Sequence, residues 1–171
     1  MFAERLLWRY PKRYLYRAAE HRDQVFLDGG MEESEQYVPC ETVVGIIAGR
    51  DAIYLDDVQY TPSALCLTLR GDLNGSLCSQ NKGGAEWITY ELTFLGVFAF
   101  RMIEIDLSGW RGQSSFDKVR NSTWLSELLA HDKTQSLSSR HNHFYVMTYD
   151  HVFDIIAKSY SLSTPPTIAR Q

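Results

Sequence analysis

Residues Glu86 to Leu95 alternate apolar and polar side chains more regularly than any other stretch. Ile88, Tyr90, Leu92 and Phe94 fall on one side, and Thr89, Glu91 and Thr93 fall on the other. A period of two is what a strand with one face in a core requires. Gly96 then interrupts the chain before a run from Val97 to Ile105 that is apolar on both sides. That run reads as a central strand covered on two faces, with Gly96 marking a bulge or tight connection. Two such segments in succession point to a sheet as the centre of the fold.

The rest of the chain supplies further strand patterns and one clear change of period. Val43 to Ala48 is a short β-branched run ended by Gly49-Arg50-Asp51, and Ile53 and Leu55 restart an alternation, which predicts a hairpin. Leu65, Leu67 and Leu69 share one face of a half-buried strand. Gly71 to Ala85 holds four glycines and reads as a long loop, a candidate contact surface. Trp124, Leu125, Leu128 and Leu129 recur at helical spacing behind Asn121 or Ser122 as a cap, so an amphipathic helix is expected near 122–131. Lys133 to Asn142 is polar and serine-rich, a loop. Phe144 to Tyr149, a turn at Tyr149-Asp150-His151 and Val152 to Tyr160 suggest a closing hairpin. Val152, Phe153, Ile156, Ala157 and Tyr160 also fit a helical face, so periodicity leaves that last element open.

The ends are of a different character. Met1 to Asp23 mixes Trp8, Tyr10, Tyr14 and Tyr16 with arginines and a lysine. Pro11 breaks it, leaving room for a helix from Lys12 to His21. Asp28 to Gln36 reads as an acidic loop, and Ser161 to Gln171, with Pro165-Pro166, as a trailing tail. The expected architecture is α+β but mainly β: an antiparallel sheet, sandwich or partly open barrel, with an N-terminal helix and one amphipathic helix. It forms a single globular domain over residues 1–162, with 1–23 a basic aromatic element and 163–171 outside the domain.

At 171 residues, with aromatics at 13%, the chain is large enough for one core without disulfide or metal staples. Three cysteines, Cys40, Cys66 and Cys78, form no C-x-x-C pair, and charges occupy the first residues where a secretory signal would be apolar, so a reducing cytoplasm is expected. No run approaches the roughly 20 apolar residues of a membrane span. Residues 1–22 carry six Lys or Arg against two Glu, which leaves eleven cations against nineteen carboxylates in residues 23–171. An acidic body repels phosphate backbones and attracts basic partners, so nucleic acid is not the expected ligand.

Chemistry-bearing constellations are sparse. His141 and His143 would share a strand face, a spacing that can ligate a metal, with a third ligand available from His151, Asp150 or Asp154. A catalytic zinc needs three protein ligands, and solvated histidines explain the pair as well. Glu104 and Asp106 would form a carboxylate pair on a strand, or a strand end running into an Asp-stabilised turn. Cys66 reads as a packing residue. No G-x-S-x-G, G-x-x-x-x-G-K or G-x-G-x-x-G occurs. The reading that follows is a non-enzymatic protein-binding domain, without a cofactor, for a basic partner. Its contacts would come from acidic and glycine-bearing loops: Asp28, Glu32, Glu33, Glu35, Asp72 and Asn74. The alternatives are a small-molecule-binding barrel or sandwich with Tyr90, Phe94, Phe98, Phe100, Tyr145 and Tyr149 around a cavity, and a metal-dependent enzyme using His141 and His143.

The segments HFYVMTYDHVFDIIAKSYSL (143–162), WITYELTF (87–94) and STWL (122–125) together resemble a pattern in small bacterial β-rich proteins, several of them immunity proteins of contact-dependent or polymorphic toxin systems. The resemblance covers about half of the chain and rests on core-strand patterns. It implies a bacterial β-rich domain and, as an expectation, an immunity-type inhibitor of a basic toxin, with no binding residue carried over.

Overall fold

A computed structural model describes residues 34–165. Nine strands, β1 (Gln36–Pro39), β2 (Ile53–Thr61), β3 (Cys66–Asn74), β4 (Trp87–Leu95), β5 (Ala99–Glu104), β6 (Phe116–Arg120), β7 (Asn142–Met147), β8 (His151–Ala157) and β9 (Ser159–Ser163), build two sheets among these residues. One has five strands in the order β1-β6-β7-β8-β5 and the other four in the order β2-β3-β4-β9. Every pairing is antiparallel. The helices are a short turn, α1 (Ile105–Ser108), and α2 (Thr123–His131). The basic aromatic element at 1–23, its expected helix at 12–21 and residues 166–171 lie outside the described residues.

The alternation that predicts β4 is realised: Tyr90, Leu92 and Phe94 are buried while Thr89, Glu91 and Thr93 face outward, half-covered. Across the core, Phe94 meets Phe116 edge-on and Phe144 at a tilt, with ring centroids 6.0 and 5.5 Å apart. Leu67, Leu69 and Leu73 from one sheet and Val146, Phe153, Ile155 and Ala157 from the other complete a single apolar layer. Two antiparallel sheets packed face to face in this way are a sandwich, and no closed barrel forms.

The sheets are joined at a corner. β4 pairs with β9 and β5 with β8, so the two ribbons β4–β5 and β8–β9 pass together from one sheet to the other. The Lys158 amide donates to the Leu95 carbonyl at 2.9 Å, and the Phe98 amide to that of Ile156 at 2.8 Å, holding the bend. Gly96 sits there at φ 65°, and a Cβ on it would come within 2.7 Å of the Lys158 side chain. The tight connection expected at Gly96 is therefore present.

Several expectations are corrected. Val43 to Ala48 is no strand: it forms a Thr42–Gly45 turn and a single bridge from Ile47 to Cys78. It plugs the flank of the sandwich, with Ile47 accepting from the Ser115 amide at 2.9 Å. The hairpin is instead β2–β3, turning at Pro62–Ala64. Leu67 and Leu69 are buried as expected, whereas Leu65 lies in the turn at φ 47° and is exposed. The long loop begins only at Gly75, because Gly71 to Asn74 continue β3 opposite Trp87 to Tyr90. Val97 to Ile105 is no central strand: β5 is an outer strand and most of it is exposed. The last apolar run resolves into β8, buried on both faces from Val152 to Ala157, and β9. The trailing tail thus starts after Ser163 rather than at Ser161.

Candidate functional site

Two places carry more chemistry than packing demands. The first lies on the face of the five-stranded sheet turned away from the core. In an antiparallel sheet directly opposed residues share a face, and the register aligns Asp117, Tyr145, Asp154 and Arg101 across β6, β7, β8 and β5. Asp154 is buried and is the hub. Its Oδ2 accepts from Arg101 Nε at 2.8 Å and Arg111 Nη2 at 3.0 Å, and its Oδ1 lies 3.0 Å from His143 Nε2. Burial alone would push the pKa of this carboxyl up. The His143 hydrogen bond, then the Arg111 and Arg101 charges, outweigh burial and hold it well below the usual aspartate range. His143 Nδ1 lies 2.8 Å from Ser122 Oγ, the cap of α2, which also accepts from the Leu125 amide at 3.0 Å.

Serine, histidine and aspartate in hydrogen-bonded sequence are the parts of a nucleophile triad, but this geometry serves a different end. Ser122 Oγ is committed to capping α2. Asp154 is already paired with two guanidiniums. Ser122 and His143 are 5% and 2% exposed, and Trp124 covers the imidazole edge-on at 5.4 Å, with Arg101 stacked over Trp124 at 4.9 Å. The arrangement is a clamp fastening α2 to the sheet through Ser122. It also fastens the 109–113 segment, through Arg111, whose guanidinium lies 5.4 Å above the Tyr145 ring. Asp117 anchors the same segment by accepting from the Gln113 and Ser114 amides and the Ser114 hydroxyl.

The second place is the flank opposite the plug. There β2 and β5, outer strands of different sheets, do not pair but meet through side chains at Tyr60 and Phe100. Their approach is bridged at one end by Tyr60 and Phe100, with rings 5.2 Å apart, and at the other by Tyr54 stacked on Tyr149 at 5.1 Å. Val58 and Tyr60 oppose Leu69 and Leu67, and Phe100 and Met102 oppose Ile155 and Phe153, so all four point towards the core side of their sheets. They are nevertheless 37% to 50% exposed. The seam ends in a cleft of about 380 Å³ lined by Glu104, Asp106, Asp150, Arg50, Tyr149 and His151. Three carboxylates against one arginine make that end acidic.

The sequence-derived site residues are dispersed. Asp28, Glu32 and Glu33 lie outside the described residues. Glu35 accepts from the Thr123 amide at 2.8 Å, at the start of α2. Asp72 is in β3, accepting from the Thr89 hydroxyl at 2.9 Å, and the Asn74 side chain accepts from the Ser76 amide at 3.1 Å. His141 and His143 do not converge: His141 Nδ1 accepts from the Ser138 amide at 3.0 Å, while His143 belongs to the clamp. No group of three His, Cys, Asp or Glu able to hold a metal ion occurs among the described residues. Glu104 and Asp106 are not on one strand, since Asp106 is in α1, but both line the acidic cleft. Cys66 contacts the Thr68 hydroxyl at 3.8 Å. The six rings proposed around a cavity also separate: Tyr90 and Phe94 fill the core, Tyr145 is on the opposite face of its sheet, and Phe98, Phe100 and Tyr149 are exposed.

Compared with protein-family models, curated proteins and solved structures, the chain matches none.

Proposed function

We propose that the protein is a non-enzymatic binding domain for a basic protein partner, acting as an immunity-type inhibitor. The observation that supports this most is the unpaired seam between β2 and β5, where core-facing apolar side chains are exposed beside an acidic cleft. Interfaces draw their affinity from partly buried aromatic and apolar anchors and their speed and selectivity from charge complementarity. The described residues carry ten Lys or Arg against fifteen Asp or Glu, a balance that favours encounter with a cation-rich surface. The described cysteines are free thiols, which supports a reducing, cytoplasmic site of action.

The test is to isolate the partner from the native host by affinity purification of the full chain, then measure the affinity of the purified pair at low and high salt. A basic partner whose binding weakens about tenfold or more between 50 and 500 mM salt is expected from screening of exposed charges. A partner of acidic character, or an affinity indifferent to salt, would overturn the proposal.

A further inference from the structure

Resting on that reading, we infer that the binding surface is the edge of β5 left unpaired among the described residues, which takes an extended basic segment of the partner protein as an added strand. An outer strand presents unpaired amides and carbonyls, and proteins ordinarily guard such edges with proline, lysine, bulges or short length. The other three outer strands are guarded. β1 has four residues and ends on Pro39. β2 is irregular between Leu55 and Asp57 and exposes Asp56 and Asp57. β9 alternates serines at 159, 161 and 163. β5 has no proline, bulge or serine alternation, and its exposed charges are Arg101 and Glu104. Its single cation, Arg101, is 45% exposed but is turned to the clamp face, where it pairs with Asp154 at 2.8 Å and stacks on the Trp124 ring.

Side chains beside the edge specify the occupant. A strand laid along β5 sends alternate side chains into the seam, where Val58, Tyr60, Phe100 and Met102 offer an apolar floor. At its Glu104 end it meets Glu104, Asp106 and Asp150, with Arg50 the one cation lining the cleft. The complementary segment is apolar at every second position and carries Lys or Arg where it reaches those carboxylates. A second copy of this chain is a poorer occupant. β5 beside β5 in antiparallel register would repeat the same apolar floor without supplying cations to the acidic end.

The probe is a synthetic peptide of alternating Val and Lys, about eight residues long, the span of an ordinary strand. Amide shifts of the full chain should concentrate on Ala99–Glu104 and on Val58 to Tyr60. Affinity should fall about tenfold in Glu104→Lys/Asp150→Lys and in Met102→Ser, and stay within twofold in Glu127→Lys, an exposed charge on α2. Replacing the central Val of the peptide by Pro should abolish binding, since a ladder cannot pass it. Equal binding of the Pro peptide would reduce the effect to charge alone and overturn strand addition. Absence of binding would overturn it too, as would peptide-free self-association with the same shifts. Binding that shifts a different surface would overturn β5 as the site while leaving the binding-domain reading intact, which only the native partner's charge and salt response can remove.

Discussion

Asp154 is the residue on which most of the outer sheet face depends. It is buried, and three partners reach its two oxygens. Replacing it by Asn keeps the shape but removes the charge that two guanidiniums face, and because these are 45% and 34% exposed the cost is about 2 kcal/mol, below that of breaking a fully buried pair. Asp154→Asn is therefore expected to lower the unfolding free energy by that amount in urea titrations. The pH dependence has a definite sign. Because the folded carboxyl is held below its ordinary value, its contribution is fully present above about pH 4 and is lost as the pH falls below that range. The wild-type chain should lose stability in acid more steeply than the variant; parallel curves would show that the clamp holds little. The hub was partly legible in the sequence, since Arg101 and Asp154 each interrupt an otherwise apolar run. A charge there needs a partner, but nothing in spacing pairs residues in β5 and β8, and Ser122 and Arg111 arrive from segments joined only by the fold.

At the level of elements, legibility follows from how many faces are covered. β4 has one face in the core and one outside, so its period survives and was readable. β8 is buried on both faces, so the period disappears and strand and helix could not be separated. β5 carries apolar residues on both faces although it is an outer strand, because Phe100 and Met102 open on the seam, and composition alone suggested a covered centre. Gly71 supports the β2–β3 register that positions the seam: a Cβ there would run into the Tyr54 carbonyl, and backbone cannot move aside as a flexible side chain can. Gly71→Ala should cost about 3 kcal/mol, the upper end of what overpacking costs, against less than about 0.5 kcal/mol for Gly83→Ala, where a Cβ meets nothing. Equal effects in thermal unfolding would mean that β2 adjusts freely and the seam is not a fixed surface.

On the scale of the described residues, the fold is a sandwich joined at one corner, plugged on one flank by residues 43–48 and with β2 and β5 left as unpaired outer strands. The acidic excess, visible in composition, acquires a place only in three dimensions, where Glu104, Asp106 and Asp150 converge from β5, α1 and the β7–β8 turn. The described parts of the loops that the sequence favoured for binding make hydrogen bonds of their own. Asn81 pins the 75–86 segment by donating to the Gly75 and Ala85 carbonyls, at 3.1 and 2.7 Å, and Glu35 is engaged at the start of α2. The central claim is that partners bind at the open seam, and hydrogen exchange of the full chain with and without its purified native partner tests it directly. The account predicts that the largest gain in amide protection falls on Ala99–Glu104, with little change in α2. Protection centred on α2 or on residues 75–86, with β5 exchanging as in the free chain, would contradict it.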